Sequence, residues 1–387
     1  MNFIEKANEN LKLDEGSIII ENLLIKCYLS PGISTKELSR NLYLPVPITV
    51  AIKKELIKAG VLLQDKGVRC TMKGKAFVEQ ELGFKGIKTS LYQKLLKYDG
   101  NALPDLSDVL LKLQDLFPLR PQVDVQIDQS QCTPDTSLRR ALLCLKEHSL
   151  IGKRILCVGD DDLVSISIGL LLKKLFPSEH SFQTQIDVMD IDKRFLKFIK
   201  DFAEKEGLPI NCIYHDMRHP FKEDYVEKYD CFFTDPPYTL QGMNLFLSRG
   251  VSALKKRKGL NIFLSFAHKS PEFTLKMQQA FVEMGLSVNA TLPSFNKYVG
   301  AQMIANRSQM MIIKTTDHTT VPANLLDKFT GPLYTGEVKQ STRIYRCTNC
   351  GGDVKVGTQC SFQTIEQLKR EKCPYCFENT FLLKNRI

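Results

Sequence analysis

The stretch RILCVGDDDLVSISIGLL, residues Arg154–Leu171, decides the fold of this chain. It begins with an apolar run typical of a buried strand, and helix-spaced apolar residues follow after a short turn. A strand, a tight turn and a helix begin the nucleotide-binding units of α/β proteins, which usually place several glycines in the turn. Here Gly159 is followed by three consecutive aspartates, Asp160–Asp162. The stretch therefore predicts a nucleotide-type fold with a concentration of negative charge at its turn.

Strand-like segments recur after Gly152, and helical segments separate most of them. The predicted strands are Arg154–Val158, Gln185–Met189, Asn211–Tyr214, Cys231–Thr234, Leu260–Phe266 and Gln309–Lys314. This alternation predicts an α/β, Rossmann-like doubly wound sheet that is mainly parallel and has right-handed crossovers. Ligands of such sheets bind at the carboxyl ends of the strands, so we expect the functional site there.

The residues before the sheet predict helices followed by a β-hairpin. Ser17–Ser30, Ser34–Leu42 and Ile48–Lys58 have helical patterns, and Asp65–Gly67 forms a turn between two short strands. This order is the winged-helix pattern, and Ser17–Lys88 holds 12 Lys or Arg against 6 Asp or Glu. A winged helix can bind DNA through its second helix, but that helix is short of base-reading Arg, Asn and Gln. Packing, dimerisation or covering an active site is therefore the favoured role.

Acidic residues follow four of the predicted strands. They are the Gly159–Asp162 turn, Asp190, Asp216 and Asp235. An acid after the second strand of such a sheet commonly binds ribose hydroxyls, which is the role we expect for Asp190. Asp216 is placed to accept a hydrogen bond from an adenine amino group. Together these acids predict a site for an adenosyl-sulfonium compound.

The sequence DPPY, Asp235–Tyr238, indicates a nitrogen nucleophile. Its two prolines fix the backbone and lack N–H groups, which leaves carbonyls and the Asp235 carboxylate to accept hydrogen bonds from an amine. Tyr238 offers a ring face for cation–π contact. The same four letters occur in amino methyltransferases whose target is an exocyclic NH2 group. The motif therefore indicates the class of nucleophile and leaves the individual amine open.

Charge bears on which donor binds beside the three aspartates. The amino-acid carboxylate of ordinary S-adenosylmethionine would be repelled there by about 1 kcal/mol or more per close pair. Decarboxylated S-adenosylmethionine has a purely cationic aminopropyl arm, and a polyamine acceptor is cationic too. Carboxylates could also take the proton from the attacking nitrogen. The alternative is that one aspartate contacts the methionine amino group while the others cap the helix.

Four motifs carry a resemblance to a known family. They are DQSQCTPDTSLRR at Asp128–Arg140, GKRILCVGDDDLVSI at Gly152–Ile166, HDMRHPF at His215–Phe221 and TDPPYT at Thr234–Thr239. Together they resemble the branched-chain polyamine synthases, which are N4-bis(aminopropyl)spermidine synthases, over residues 17–330. The resemblance implies an N-terminal winged-helix-like domain and a Rossmann-like catalytic domain. It also implies two transfers of an aminopropyl group from decarboxylated S-adenosylmethionine to the secondary amine of spermidine, with release of methylthioadenosine.

The resemblance further implies roles for individual residues. Asp160, Asp161 and Asp162 would form a catalytic and substrate-binding acid cluster, and Asp235 and Tyr238 would bind and orient the acceptor amine. Since an ammonium has no lone pair, a base must first remove a proton, and we expect Asp161 or Asp162 to act as that base. The donor-binding residues are expected to be Gly159, Asp190, Asp216 and Gln129.

Five of the 12 cysteines cluster after position 346. Cys347 and Cys350 form one CxxC pair, and Cys373 and Cys376 form a second pair after 22 intervening residues. Four thiolates on paired turns match a structural zinc site, while Cys360 lies between the pairs as a spare thiol. We therefore predict a zinc ribbon with a role in folding or interaction and none in catalysis.

A length of 387 residues suggests several domains. We divide the chain into a winged-helix domain (1–88), a helical connection (89–150), a Rossmann-like catalytic domain (151–335) and a zinc-ribbon tail (336–387). The sequence has no apolar run long enough for a membrane span and no secretion signal, so we expect a cytoplasmic protein without a membrane partner. The expected partner is spermidine, and a homodimer is kept as an expectation.

Two other functions stay open. The net charge of +10 and the DPPY motif would also suit a methyltransferase that transfers a methyl group from S-adenosylmethionine to an amino group of RNA or DNA. A DNA-binding regulator with a nucleoside-sensing domain is the other alternative. The three aspartates argue against both alternatives.

Overall fold

The computed structural model describes residues 3–97, 104–178, 182–338, 342–357 and 360–386. Its first part consists of helices and a hairpin: α1 Phe3–Leu11, α2 Ile18–Leu29, α3 Thr35–Leu42, α4 Val46–Lys58, β1 Leu62–Gln64, β2 Val68–Cys70 and α5 Met72–Gln80. Ser34 caps α3 by accepting the Glu37 N–H at 3.1 Å, as its sequence predicts. The element order agrees with the predicted order, and the winged-helix assignment itself stays a prediction.

A helical connection leads to the large sheet. It contains α6 Thr89–Leu96, α7 Ser107–Leu116, the short strand β3 Gln131–Cys132 and α8 Pro134–Lys146. The Thr133 hydroxyl caps α8 by accepting the Thr136 N–H, and Pro134 occupies the first turn, where a missing N–H costs nothing. This cap fixes the start of α8, a helix that contributes a side chain to the site described below.

The large sheet alternates with helices. Its remaining elements are β4 Arg154–Val158, α9 Val164–Leu175, β5 Gln185–Asp190, α10 Lys193–Glu206, β6 Ile210–Tyr214, β7 Cys231–Thr234, α11 Leu240–Ala253, β8 Asn261–Phe266, α12 Pro271–Glu283, β9 Leu286–Val299 and β10 Arg307–Thr315. All six predicted strands are present, each with boundaries within two residues of the prediction. Strands β3 and β9 were not predicted.

Within the described ranges this sheet has eight strands in the order β3-β9-β10-β8-β7-β4-β5-β6. Strands β8, β7, β4, β5 and β6 run parallel, whereas β10 is antiparallel to β8 and β9. The fold is thus the expected α/β sheet with an antiparallel extension at one edge. The strand order reverses beside β4, which has β5 on one side and β7 on the other. Such a reversal opens a crevice at the carboxyl ends of the two central strands.

The N-terminal helices attach to the opposite edge of this sheet, at the amino ends of the strands. Glu21 of α2 accepts from Lys153, which precedes β4, at 3.0 Å and from Arg257, which precedes β8, at 2.5 Å. Buried apolar side chains of α2 and of β4 belong to one continuous core. The N-terminal region therefore lies away from the crevice and does not cover it.

The chain ends in a smaller sheet. After α13 Thr335–Val338 come β11 Arg343–Cys347, β12 Asp353–Val356, α14 Ile365–Glu371 and β13 Phe381–Arg386. Strand β11 lies between β12 and β13, and both pairings are antiparallel. Among the residues described, no helix combines the length and the apolar character that crossing a membrane requires.

Candidate active site

The first aspartate after β4 holds the helix that follows. The Asp160 carboxylate accepts the backbone N–H groups of Val164 and Ser165 at 2.7 and 3.1 Å, which places its negative charge at the start of α9. Its own N–H donates to Asp190 at 3.0 Å. Burial raises the pKa of Asp160 to about 7. Both oxygens of Asp160 thus support the turn, and the side chain lines neither of the cavities described below.

The second aspartate faces the crevice. Asp161 Oδ2 accepts the Ser130 N–H at 2.9 Å, and the side chain lines the cavity wall. Burial and repulsion from Asp162, Asp190 and Asp235 raise its pKa well above the ordinary value. A carboxyl group with a raised pKa in a cleft is suited to accept a proton.

The third aspartate pairs with an arginine. Asp162 is 3% exposed, and its Oδ1 accepts the Cys132 N–H at 2.7 Å. Its Oδ2 lies 2.7 Å from Nη1 of Arg140, which projects from α8 and is only 2% exposed. Both carboxylate oxygens are therefore engaged by donors from the protein.

The same arginine reaches the DPPY turn after β7. Arg140 Nη2 lies 3.0 Å from Asp235 Oδ2. That oxygen also accepts from the Tyr298 hydroxyl at 2.7 Å, and Asp235 Oδ1 accepts from the Tyr238 hydroxyl at 2.9 Å. Burial raises the pKa of Asp235 to about 6, with Arg140 lowering it and Asp162 raising it. Asp235 is thus an ordered carboxylate held by three donors.

Strand β9 completes this network from behind. Asn296 Oδ1 accepts from Arg140 Nε at 2.9 Å, and its Nδ2 donates to Ser308 at 2.9 Å. Ser308 also contacts the Tyr298 hydroxyl at 2.9 Å. These groups are buried and satisfied by one another, so the antiparallel extension supplies the rear wall that fixes Arg140 and Asp235.

Two adjoining cavities occupy the crevice. The larger has a volume of about 430 Å³ and runs along the DPPY turn to Lys269, Met303 and Ile304. The smaller, of about 40 Å³, lies against Gly159 and Asp190. They share the lining residues Asp128, Asp161, Asp235, Pro237 and Tyr334. A group bound in one cavity therefore meets a group bound in the other beside Asp161 and Asp235.

The walls of these cavities are acidic. Between them they expose Asp128, Asp161, Asp190 and Asp235, against the single cation Lys269 among the described lining residues. Four carboxyl groups around one cleft create a field that attracts cations and disfavours anions. The arrangement suits two cationic ligands.

Three of the four expected donor-binding residues line the smaller cavity, and two of them, Gly159 and Asp190, form its floor. Gly159 has a φ of +78°, a conformation that favours glycine, and its position opens the cavity floor. The Asp190 carboxylate accepts the N–H groups of Asp160 and Asp192 at 3.0 and 2.7 Å and also lines the cavity. Asp190 is thus rigidly held at the carboxyl end of β5, where the sequence placed it.

The other two have their side-chain groups engaged elsewhere. Gln129 lines the cavity, but its amide accepts from the Asp124 N–H at 2.8 Å and donates to Asp192 at 3.0 Å. Asp216 is adjacent to the lining residue Met217, and its carboxylate pairs with Arg218 at 2.8 Å. Burial raises the pKa of Asp216, but hydrogen bonds and charge from Arg218 lower it below its ordinary value. These contacts give Gln129 and Asp216 supporting places in the fold, and their proposed contacts with a donor remain predictions.

A segment comprising residues 329–337 covers the cavities. Tyr334 is 4% exposed and lines both of them. The Thr335 N–H donates to Asp128 at 2.8 Å, and Glu337 pairs with Arg218 at 2.9 Å. Asp216 thus holds Arg218, and Arg218 in turn holds this cover segment. This segment was not predicted, because its partners Asp128 and Arg218 lie 207 and 119 residues away in the chain from Thr335 and Glu337.

The sequence reasoning also missed Arg140, Asn296 and Tyr298 as parts of the site. Arg140 lies inside a motif that was recognised, but nothing in a single sequence shows that it contacts two carboxylates from distant loops. Tyr298 and Asn296 belong to β9, a strand that was not predicted. The sequence carries no signal for Tyr298, because the burial that obliges its hydroxyl to find a partner is seen only in the fold.

The cysteine pairs of the tail meet as predicted. The sulfur atoms of Cys347, Cys350, Cys373 and Cys376 all lie within 4.8 Å of one another, on two facing turns. Cys360 is not part of this cluster. Four sulfur ligands on paired turns fit a tetrahedral ion that prefers thiolates.

Comparison with protein families gives one assignment for this region. A family model described as the branched-chain polyamine synthase A C-terminal domain matches residues 108–330. The match includes all four acidic strand ends and Arg140, and it ends within the cover segment.

Two curated relatives come from Methanocaldococcus jannaschii. An uncharacterized protein is 37% identical over 370 residues, covering 92% of this chain and 90% of the relative. An N(4)-bis(aminopropyl)spermidine synthase is 30% identical over 258 residues, covering 66% of this chain and 71% of the relative. The chain is therefore similar to two different proteins of one organism.

Among solved structures, the fold is similar to that of the branched-chain polyamine synthase from Thermus thermophilus, determined with N4-aminopropylspermidine and 5'-methylthioadenosine. The two share 21% identity and a TM-score of 0.52, covering 87% of this chain and 96% of that chain. At this identity the likeness concerns the fold, and it supports the Rossmann-like description of the large sheet.

Proposed function

The chain belongs to the branched-chain polyamine synthase family, and from that premise we propose that it transfers aminopropyl groups from decarboxylated S-adenosylmethionine to the secondary amine of spermidine. The products are N4-bis(aminopropyl)spermidine, after two transfers, and methylthioadenosine. The observation that carries the proposal is the pair of acidic cavities that share Asp161 and Asp235. The smaller cavity, at about 40 Å³, marks the proposed place of the donor ribose, and Tyr334 of the cover segment must move aside for the rest of the nucleoside to enter. The larger cavity is the proposed place of the polyamine.

Asp190 is the proposed ligand of the donor ribose. Its carboxylate is fixed by two backbone N–H groups, which leaves it oriented at the floor of the smaller cavity. The sulfonium and the cationic aminopropyl arm then extend toward Asp161 and Asp235, and their positive charge in turn favours the ionised form of both carboxyl groups. Ordinary S-adenosylmethionine would bring a carboxylate into the same surroundings.

The DPPY turn is the proposed binding site of the acceptor amine. Asp235 is oriented by Arg140, Tyr298 and Tyr238, and the Tyr238 ring stands against Phe266 with 5.2 Å between centroids. The apolar lining residues Met303, Ile304 and Leu333 suit the methylene segments between the nitrogens. A chain of amines and methylenes therefore matches the larger cavity in both charge and polarity.

The reaction is an in-line displacement at the carbon beside the sulfonium. The acceptor ammonium loses a proton to Asp161, and the freed lone pair forms the new C–N bond. The C–S bond breaks with its electrons passing to sulfur, which leaves a neutral thioether in methylthioadenosine. The raised pKa of Asp161 supports its choice as base, whereas both oxygens of Asp162 are engaged by Cys132 and Arg140. Holding the two reactants in adjoining cavities supplies much of the remaining acceleration.

The test is a product assay on the purified protein with spermidine and each donor in separate reactions. Mass spectrometry should show the addition of one and then two aminopropyl groups, together with methylthioadenosine, with the decarboxylated donor alone. If spermidine is unchanged by either donor, the proposal fails for this acceptor. Transfer of a methyl group from ordinary S-adenosylmethionine to RNA would instead support the methyltransferase alternative.

Two structural assignments belong to the same proposal. The N-terminal helices and hairpin are the proposed winged-helix domain, and their place away from the crevice favours packing or association over a lid function. The tail is the proposed zinc ribbon, in which Cys347, Cys350, Cys373 and Cys376 would hold the ion. Zinc would tie the two turns together and so stabilise a sheet with little core of its own. Cytoplasmic localisation and a homodimer remain predictions.

A further inference from the structure

Arg140 is the one cation buried directly behind the acidic wall in the described part of the crevice. It is 2% exposed, and all three of its guanidinium nitrogens donate hydrogen bonds, Nη2 also to the Tyr298 hydroxyl at 3.1 Å. Nε donates to Asn296, Nη1 to Asp162 and Nη2 to Asp235, at 2.9, 2.7 and 3.0 Å. A cation at the surface of this site would repel cationic ligands, but Arg140 is buried behind the acidic wall. Its role must therefore lie in its contacts with the neighbouring groups of the protein.

The contacts of Arg140 join the two loops where the strand order reverses. Asp162 follows β4 and Asp235 follows β7, while Asn296 belongs to the antiparallel strand β9. A planar guanidinium holds its three nitrogens in a wide, fixed fork that spans these separate acceptors, whereas a lysine ammonium is a compact charge on a flexible stem. Arg140 thus sets the spacing of the two loops that form both cavities.

Arg140 also divides the carboxylates into two classes. Asp162 and Asp235 each contact the guanidinium, whereas Asp161 accepts a backbone N–H from Ser130 and lies beside three other acids. The guanidinium lowers the pKa of Asp235 and so opposes the effect of burial, which raises it. The carboxylate without that cation is the one best able to take up a proton.

We propose that Arg140 is a positioning residue that fixes Asp235 as the anionic anchor of the acceptor and thereby leaves Asp161 as the proton acceptor. This inference rests on the proposed aminopropyl transfer and adds a role that neither the motifs nor the comparisons assign. Arg140 itself lies behind the wall and lines neither cavity, so it acts through Asp235. Arg140 thereby determines that Asp235 binds the acceptor amine and that Asp161 accepts the proton from it.

The charged and titratable groups around Asp235 define the pH dependence. Arg140 faces it from α8, Asp162 and Asp161 from the loop after β4, Tyr298 from β9 and Tyr238 from its own turn. Lys269 lines the same cavity, and burial lowers its pKa. Among these groups the cations are Arg140 and Lys269, and only Arg140 contacts Asp235.

The experiment follows kcat/KM for spermidine against pH in the wild-type protein, Arg140→Gln and Arg140→Lys. An opposite charge at this range lowers a carboxyl pKa by about 1 to 3 units, so Arg140→Gln should raise the pKa of Asp235 by about that amount. The acidic limb should then become steeper and move to higher pH, because both Asp161 and Asp235 must lose a proton within the same range. Arg140→Lys should move the limb less, because it keeps the charge and loses the three-way contact. An Arg140→Gln protein that folds and keeps the wild-type limb overturns the proposal.

The matched control is Arg139→Gln, one residue earlier in the same helix. Arg139 donates to the Phe295 carbonyl at 3.1 Å and lies outside the cavities, so its loss should leave the acidic limb in place. If Arg140→Gln does not fold, the comparison is made between Asp162→Asn and the double variant Arg140→Met/Asp162→Asn. Removing a buried pair together is better tolerated than removing one partner. The acidic limb of the double variant should lie at higher pH than that of Asp162→Asn. Acidic limbs at the same pH in both variants would refute the positioning role of Arg140.

A second readout needs no turnover. In protein labelled with 13C at the aspartate carboxyl carbons, the Asp235 resonance is identified by its loss in Asp235→Asn, and its titration gives the pKa directly. Arg140→Gln should raise that pKa. If the wild-type protein transfers no aminopropyl group, the proposed function fails while this titration still decides whether Arg140 controls Asp235. An unchanged Asp235 titration in Arg140→Gln refutes the inference whatever the enzyme activity.

Discussion

Asp161 and Asp162 are neighbours in the chain, yet their carboxylates face different surroundings. Asp162 Oδ2 lies 2.7 Å from Nη1 of the buried Arg140, whereas Asp161 Oδ2 accepts the Ser130 N–H at 2.9 Å beside the two cavities. The two residues occupy the central positions of a tight turn in which the Leu163 N–H donates to the Asp160 carbonyl at 3.1 Å, and this turn directs two identical groups to different partners. One carboxylate pairs with Arg140 behind the wall, and the other faces the cavities.

This separation predicts different outcomes for two identical substitutions. Asp161→Asn should lower kcat for aminopropyl transfer by about 100- to 10,000-fold, the range expected for loss of a general base. It should leave methylthioadenosine binding nearly unchanged, because the fold of the smaller cavity is preserved. Asp162→Asn removes a partner of Arg140 and should lower thermal stability as well as activity. Single-turnover kinetics and calorimetry on both variants make the comparison.

The control for this pair is Asp201→Asn, which changes an exposed aspartate on α10 that pairs with Lys197. Surface pairs of this kind contribute little, so both activity and stability should match the wild-type protein. Full activity in Asp161→Asn would assign the base elsewhere.

The raised pKa values in the crevice predict that the ligand-free protein loses stability as pH rises. Burial raises the pKa of Asp235 to about 6 and that of Asp160 to about 7, above the value of an aspartate in an unfolded chain. The native state therefore binds protons more tightly, and this contribution is complete below about pH 4 and lost as pH passes through 6 and 7. Urea unfolding at pH 5 and pH 8 should show the lower free energy of unfolding at pH 8.

The variant Asp161→Asn tests whether the ionisation of this aspartate contributes to the loss of stability between pH 5 and pH 8. An asparagine cannot ionise, so the variant should be more stable than the wild-type protein at pH 8, and its advantage should shrink toward pH 5. Spermidine should stabilise the wild-type protein more at pH 8, because the acids it neutralises are then charged. A wild-type protein that is more stable at pH 8 than at pH 5, with no benefit from Asp161→Asn, would contradict the assignment of raised pKa values.

The smaller cavity predicts discrimination between donors. Four aspartates line it, and no Lys or Arg is found among its described lining residues. The carboxylate of ordinary S-adenosylmethionine should therefore weaken binding at least about tenfold relative to the decarboxylated form, a difference of about 1.4 kcal/mol. Calorimetry with both compounds gives the ratio, and Asp161→Asn should reduce it. Equal affinities would mean that the aminopropyl end lies outside this acidic field.

The sulfur cluster predicts one tightly bound zinc ion per chain. Cys373→Ser should abolish zinc retention, because it removes one of four ligands within 4.8 Å, whereas Cys360→Ser should retain the ion. Elemental analysis of both purified variants measures this directly. Aminopropyl transfer should persist in Cys373→Ser, since the four cysteines do not line the cavities. Zinc loss in Cys360→Ser would show that the ligand set is wrong.

Much of this architecture could be read from local patterns. The six strands that carry the acids were predicted because their apolar runs are short, buried and bounded by turns. Strand β9 was not predicted because it lacks the regular alternation of apolar and polar residues that indicates a strand. Its side chains alternate irregularly between buried and exposed positions, and Ser294 interrupts it with a φ of +52°. The acids themselves were visible because they end strands, where side chains of a parallel sheet converge.

Contacts between residues that are far apart in the chain could not be predicted from the sequence. Arg140 meets Asp162 and Asp235, which lie 22 and 95 residues away, and no local pattern records such contacts. Asp160 belongs to the predicted catalytic cluster, and its carboxylate caps α9. Its place in catalysis stays a prediction. The acids were visible in the sequence, whereas their different partners appear only in the three-dimensional arrangement.

Asp128, Asp161, Asp235 and Tyr334 form a wall common to both cavities. In the proposed reaction two cationic substrates compete for the same anions, so each should weaken the binding of the other to an equal degree. Transfer turns the sulfonium into a neutral thioether, while the polyamine gains a charged amine. The repulsion then disappears, and the wall holds the lengthened polyamine more strongly than the nucleoside. Departure of the nucleoside first would let a second donor enter beside a polyamine still in place, and successive transfers would become processive.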